Sequence, residues 1–311
     1  MLKGLALTPP VVGRISIGRV VERNGKRLPE KDDEFTLTTQ VQTREGWVLH
    51  PLDEQLRKAQ DGSGKGGPRA KLRCIPVRLL FDDPDLNLRA SYCLFDRASG
   101  RPLCAGNGET CRRSTPSGMQ TLPCPAPDAC ELAERGCKPY GRLNVGVGEE
   151  EDLSTFVFRT TGFNSIRTLA TRLTYFQAVS GGNLSTLPLE LRLRGKSTQK
   201  SHGTPIYYVD ITVRTGSTLV EAIAQAKSDA QAREAAGFCQ ASLDAAARSG
   251  LAQGAFEESQ EEALPVVDEF FPEAASASGD RDDSASHAPA GSPSLRDKLA
   301  RRTDALAQTA S

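Results

Sequence analysis

Five of the chain's eight cysteines, Cys104, Cys111, Cys124, Cys130 and Cys137, crowd into one mid-chain segment. That segment, residues 104–140, is short of apolar side chains, so something other than hydrophobic burial has to organise it. In a reducing compartment such clustering points to metal or redox chemistry and not to disulfides. The most ligand-like set is Cys111, Cys124, Cys130 and Cys137, spaced C-x12-C-x5-C-x6-C. Thiolate sulfur is a soft ligand that zinc accepts in tetrahedral sets of four, and the spacing predicts one structural zinc ion. Pro123, Pro125 and Pro127 stiffen the approach to two ligands, and Gly136 permits a tight turn before Cys137. Arg112, Arg113 and Lys138 stand beside ligands, where they offset the charge of a tetrathiolate. An iron–sulfur cluster is the competing occupant of four cysteines. A closed set of four sulfurs leaves no open coordination position, so the expected metal is a folding element and not a catalyst. Cys104 is an alternative ligand, but the alternating Leu103-Cys104-Ala105 reads as strand. Cys74 and Cys93 read as small buried hydrophobes on apolar strands.

Around this segment the hydrophobic pattern predicts an α+β protein, mainly an antiparallel sheet with two or three helices. Strands are expected at 11–22, with Val11, Ile15, Ile17 and Val21 inward, and at 35–50, 73–81, 88–106 as a hairpin turning at 96–100, 156–160, 189–194 and 206–213. Residues 24–34, opening on Asn24-Gly25, read as a turn region. In 189–194 Leu189, Leu191 and Leu193 alternate with Glu190, Arg192 and Arg194, which predicts a charged outer face. Asn164 is placed to cap a helix carrying Ile166, Leu169, Leu173 and Phe176. Thr218 and Glu221 make a capping box for an alanine-rich helix to about Ala236, and a short helix is expected over 242–249. The structured domain then spans 1–250. Residues 251–311 are acidic and rich in small residues, which predicts a disordered tail with a short helix at 294–308. Val266, Val267, Phe270 and Phe271 form an apolar cluster inside that acid, read as stray apolar residues in a linker or as a docking peptide.

The overall charge of zero hides an asymmetry. Residues 1–220 hold 31 Lys and Arg against 23 Asp and Glu, a net of +8, and residues 221–311 hold 8 against 16, a net of −8. No apolar run approaches the length of a membrane span, and no secretory signal is recognisable at the start, so no membrane contact and a cytoplasmic location are expected. No catalytic constellation assembles. The three histidines, His50, His202 and His287, lie in no nucleophile or metalloprotease context. Gly64-Lys65 sits in a glycine-rich loop without the spacing of a phosphate-binding loop. Asp82, Asp83 and Asp85 follow a strand as nuclease carboxylates do, but around Pro84 they read as a turn. The basic residues Arg159, Arg167, Arg192, Arg194, Lys196 and Lys200, with Tyr207 and Tyr208 near in sequence, form a candidate surface for DNA or for a protein partner; a charged sheet edge is the competing reading.

Several motifs are distinctive: Gly108-Glu109-Thr110-Cys111-Arg112-Arg113, Leu122-Pro123-Cys124-Pro125 and Cys137-Lys138-Pro139-Tyr140-Gly141-Arg142-Leu143. Phe158-Arg159-Thr160-Thr161-Gly162-Phe163-Asn164-Ser165-Ile166 and Leu191-Arg192-Leu193-Arg194-Gly195-Lys196 belong with them. Together they resemble the phage recombination directionality factor-like family of bacterial mobile elements, over about residues 1–250. The resemblance implies Cys111, Cys124, Cys130 and Cys137 as metal ligands. It also implies a regulator that binds a site-specific recombinase, a serine integrase in the members whose role is known, and redirects it from integration to excision. Some members carry only the label of hydrolase or metal-binding protein. Three readings follow: a zinc-stabilised recombination regulator, a general nucleic-acid-binding accessory protein, and a metal-dependent hydrolase with a site unlike the usual ones.

Overall fold

The computed structural model describes residues 10–23, 26–43, 46–61, 70–148, 154–197, 205–253, 266, 267 and 270, with the side chains of 19–32, 61 and 251–253 outside that description. The order is β1 (Val11–Arg23), β2 (Lys26–Thr43), β3 (Gly46–Leu49), α1 (Pro51–Asp61), β4 (Cys74–Arg78), α2 (Pro84–Asn87), β5 (Leu88–Phe95), β6 (Pro102–Gly106), β7 (Thr110–Thr115), β8 (Gly118–Pro123), β9 (Lys138–Val147), β10 (Thr155–Thr160), α3 (Phe163–Ser180), β11 (Leu189–Lys196), β12 (Ile206–Val213), α4 (Leu219–Ala235) and α5 (Gln240–Gln253). The fold is α+β.

The sheet runs β3-β2-β1-β10-β9-β5-β6-β7-β8, and β9 also pairs with β4, which leads on to β11 and β12. Among the described pairings only β1 with β10 is parallel. Strand β9 is the hinge of the design. It hydrogen-bonds β10 along Gly141–Val145, β5 along Lys138–Leu143 and β4 at Gly146–Val147. The main core forms where the two sheet arms face each other: Phe35, Leu37, Leu143, Val145, Phe156 and Phe158 meet Ile75, Val77, Leu189, Leu191, Val209 and Ile211, with Leu169, Leu173 and Phe176 of α3 packed in. A second core sits in the lobe of β5–β8 and contains the cysteines.

Local chemistry explains most boundaries. The Thr218–Glu221 capping box is present and starts α4. Helix α3 ends at Gly181, whose φ of 69° is the left-handed conformation that glycine adopts without strain. The hairpin turn at 96–100 is held by Asp96, which accepts from the Ser99 amide at 2.9 Å and from its hydroxyl at 2.5 Å.

The structure corrects the sequence expectations in several places. There are five α-helices among the described residues, not two or three. Helix α1 was not expected; Asp53 builds it in by accepting from the Leu37 amide at 3.0 Å and from Arg57 at 2.8 Å. Residues 26–34 are strand and not turn, because the backbone ladder from Arg19↔Glu30 to Arg23↔Lys26 forms whatever the polarity of the side chains. Asn24 and Gly25 themselves lie outside the described residues, as does the side chain of Val21. Residues 110–123, where the sequence pattern predicts no element, are a hairpin. Asn164 does not cap α3: the cap is Gly162, with no side-chain hydrogen bond, and Asn164 instead accepts from Lys196 at 2.8 Å. The expected tail disorder, the 294–308 helix, Phe271, Lys200, His202 and His287 all lie outside the described residues. Among the described residues no helix is long and apolar enough to cross a membrane.

Candidate metal centre and basic face

Strand register explains why distant cysteines meet. Cys104 on β6 pairs with Arg113 of β7, Gly106 with Cys111, and Cys111 with Leu122 of β8. Paired residues share a face and alternate residues return to it, so Cys104, Gly106, Cys111, Arg113 and Leu122 line one side of the lobe. Cys124 follows β8 on that side, and a 3-10 turn at Pro127–Ala129 leads to Cys130 and then Cys137, both packed on the same cluster. Gly106 is what permits the approach. A Cβ built there would stand 2.6 Å from the Cys111 Cβ and 2.8 Å from the Cys124 Sγ.

All five thiols are free, and Cys104, Cys111 and Cys124 are buried. Burial pushes the Cys104 thiol up to about 11, with Cys111 adding to the rise and Arg113 opposing it. Burial, and then the neighbouring Cys104, Cys130 and Cys124, push Cys137 up to about 11. Arg113 is the cation of the cluster: it donates to Glu131 at 3.1 Å and approaches the Cys130 Sγ at 3.9 Å. Its Nε is buried without a hydrogen-bond partner, a donor suited to a thiolate sulfur. Arg112, expected to share this task, pairs with Ala105 and Thr121 on the opposite face and is exposed. The sulfurs do not close on a point: among the described residues no three of His, Cys, Asp and Glu are placed to hold one metal ion. The donor set suits zinc by chemistry, four soft thiols beside a half-buried cation, while closure around an ion is not part of the geometry. Cys104 is the member that the spacing argument left out. Its strand reading holds, and the strand itself carries its thiol into the cluster.

The basic residues are dispersed. Arg192 donates to Glu190 at 3.1 Å and to Thr215 at 2.8 Å, and Arg194 donates to Asp210 at 2.9 Å with Arg172 at 3.3 Å from the same carboxylate. Glu190 and Asp210 are each 3% exposed, so these guanidinium groups neutralise buried acids. Glu190 thus stays on the face that alternation gives it, but is buried there beneath Arg192 and Thr215. Lys196 bonds Asn164 and lies 5.8 Å from the Tyr208 ring centre. Arg167 on α3 is exposed. Arg159 is on β10, in register with Arg142.

Two carboxylates of the hydrolase reading, Asp82 and Asp83, have structural tasks. Asp83 caps α2 by accepting from the Asp85 amide at 2.9 Å and also pairs with Arg248 at 3.0 Å. Asp82 accepts from the Ser185 amide at 2.8 Å. His50 accepts from the Leu52 amide at 3.2 Å and packs edge-on against Phe156.

A family model described as Gp3-like, recombination directionality factor-like, matches residues 12–214. No curated protein and no solved structure matches the chain.

Proposed function

Because this chain belongs to the recombination directionality factor-like family, we propose that it regulates mobile-element DNA recombination by binding a site-specific recombinase, with its cysteine lobe closed by one zinc ion. The observation that carries the reading is the gathering of five thiols and Arg113 on one face of the β6–β8 lobe, within the family-matched region. Cys111, Cys124, Cys130 and Cys137 would hold the metal, which supplies cross-linking of the lobe and no chemistry on a substrate. Cys104 lies behind them as a thiol neighbour of Cys111. Arg113 offsets the negative charge of the four thiolates. The lobe would then present a rigid surface to the recombinase, and binding energy differing between the integration and excision synapses would set the direction.

A recombination assay with the recombinase of the same element tests this. Added chain should suppress joining of the two attachment sites used for integration and stimulate joining of the two product sites. Unchanged rates in both directions, with the zinc-loaded chain in excess, sink the reading. Direct DNA contact through Arg167 and Lys196 is a second reading, supported by their outward position on α3 and β11. Salt-dependent retention of duplex DNA, lost in Arg167→Ala, tests it.

A further inference from the structure

Helix α3 has no Asp or Glu in its 18 residues. Strands β11 and β12 hold one acid each: Glu190 is buried under Arg192, and Asp210 under Arg194 and Arg172. A ligand that meets these three elements therefore finds their cations at the surface and their carboxylates out of reach. Among the described residues no carboxylate pairs with Arg167 or Lys196. Arg167 is exposed, and the Lys196 ammonium bonds the neutral Asn164 side chain at 2.8 Å, 5.8 Å from the Tyr208 ring centre. The uncompensated charge of this surface is positive and suits a polyanion.

The same surface carries a second unusual feature. Phe163, which opens α3, is 55% exposed, more than any other aromatic side chain among the described residues. Arg167 follows it by four residues, so the two share one helix face about one turn, 5.4 Å, apart. Asn164, the partner of Lys196, is the next residue after Phe163. The start of α3 thus presents a flat apolar ring with two cations close by. Proteins that hold single strands combine these same elements, an aromatic face for a base and cations for the phosphates. In a duplex the bases cover one another's faces, so a stacking ring favours unpaired bases.

We propose that the start of α3 is a binding site for single-stranded nucleic acid, in which Phe163 stacks on a base and Arg167 and Lys196 hold neighbouring phosphates. The proposal rests on the reading of Arg167 and Lys196 as DNA contacts and names their ligand as a strand with unpaired bases. Asn164 is a positioning residue, which keeps the Lys196 ammonium beside the ring. Arg192 and Arg194 take no part, because their charge is spent on Glu190 and Asp210. Stacking accepts any base, so the site selects strand state and not sequence.

The test uses the full chain and a fluorescein-labelled DNA strand of mixed sequence, about 20 nucleotides long, free or annealed to its complement. Anisotropy across a salt series should show tighter binding of the free strand. Phe163→Ala should weaken binding of the free strand about tenfold or more and change duplex binding little. Arg167→Gln and Lys196→Gln should each lower the salt slope for the strand by about 0.7, and Arg194→Ala should leave it unchanged. Phe163→Trp should keep the affinity, and its emission, measured against that of Trp47 in the unaltered chain, should be quenched by the strand. That quenching reports stacking even if Phe163→Ala fails to fold. Equal binding of strand and duplex, with Phe163→Ala altering neither, overturns the proposal and leaves the DNA-contact reading in place. Binding of neither form removes both. A Phe163→Ala chain that loses recombinase binding and keeps its hold on the strand would assign the ring to protein and overturn the proposal as well.

Discussion

Arg194 and Asp210 form a diagonal pair across β11 and β12, the guanidinium Nε donating to Oδ2 at 2.9 Å, and Asp210 is almost wholly buried while Arg194 is half-exposed. The strand that looks like a basic DNA-binding edge in sequence is therefore an ion-paired element of the core. Arg194→Ala should lower stability by about 1–3 kcal/mol, since a buried carboxylate loses one of its two cations. It should leave duplex retention unchanged. Urea unfolding and a salt-series binding assay on the same preparation check both halves.

Glu190 leads to a pH prediction. Burial acts to raise its carboxyl, but hydrogen bonds from Arg192 and from the Thr215 amide and hydroxyl overcome that and leave it below the ordinary glutamate value. A depressed folded-state pKa contributes stability that is present above the unfolded value, near 4.3, and is lost as pH falls through the folded value. Glu190→Gln should therefore be less stable than the unaltered chain at pH 7. The gap should narrow steadily below about pH 4, which urea midpoints across an acid series would show.

Much of the frame was legible because backbone periodicity and caps are local. The Thr218–Glu221 box, the turn at Asp96 and the Leu189–Leu191 strand all appear where the pattern placed them. The β7–β8 hairpin was not legible, because on its inward face the apolar signal is carried by Cys111 and Leu122 and the rest is polar. Cys104 escaped the ligand reading for the opposite reason: its strand pattern was recognised, but which side of the lobe that strand faces depends on register with β7. The alignment of Arg89, Arg142 and Arg159 across β5, β9 and β10 was beyond reach altogether, since these residues meet only through two strand pairings. Alternation put Glu190 on the right face, but could not tell that Arg192 and Thr215 bury it there.

Asn87 holds the turn around Pro84. Its Oδ1 accepts from the Leu80 and Phe81 amides at 3.1 and 3.2 Å, and its Nδ2 donates to the Phe81 and Asp83 carbonyls at 2.8 and 2.9 Å. Asn87→Ala would strand several buried backbone groups and should cost about 2–4 kcal/mol. Asp83→Ala, which removes a helix cap, should cost about 1 kcal/mol. Neither should alter any Mg²⁺- or Mn²⁺-dependent hydrolysis. A nuclease activity that vanishes in Asp83→Ala with stability intact would restore the hydrolase reading.

Gly106 gives the sharpest test of the cysteine lobe. An added methyl would meet the Cys111 Cβ, the Cys124 Sγ and the Thr110 carbonyl, the last at 2.8 Å. None of the three is the far end of a flexible chain, so Gly106→Ala must push β6 away from β7 and separate two proposed ligands. Overpacking of this kind typically costs about 1–3 kcal/mol, and a displaced ligand would add loss of metal. Elemental analysis should find about one zinc per unaltered chain and per Cys104→Ser chain, and markedly less in Gly106→Ala and in Ser variants of Cys111, Cys124, Cys130 and Cys137. The Cys124→Ser and Cys137→Ser chains should also lose several kcal/mol, roughly the scale of losing a structural site. Zinc that stays with Cys111→Ser and leaves with Cys104→Ser would move the fourth ligand onto β6, beside Arg113. Iron with acid-labile sulfide in place of zinc would mean that the same thiols hold a cluster.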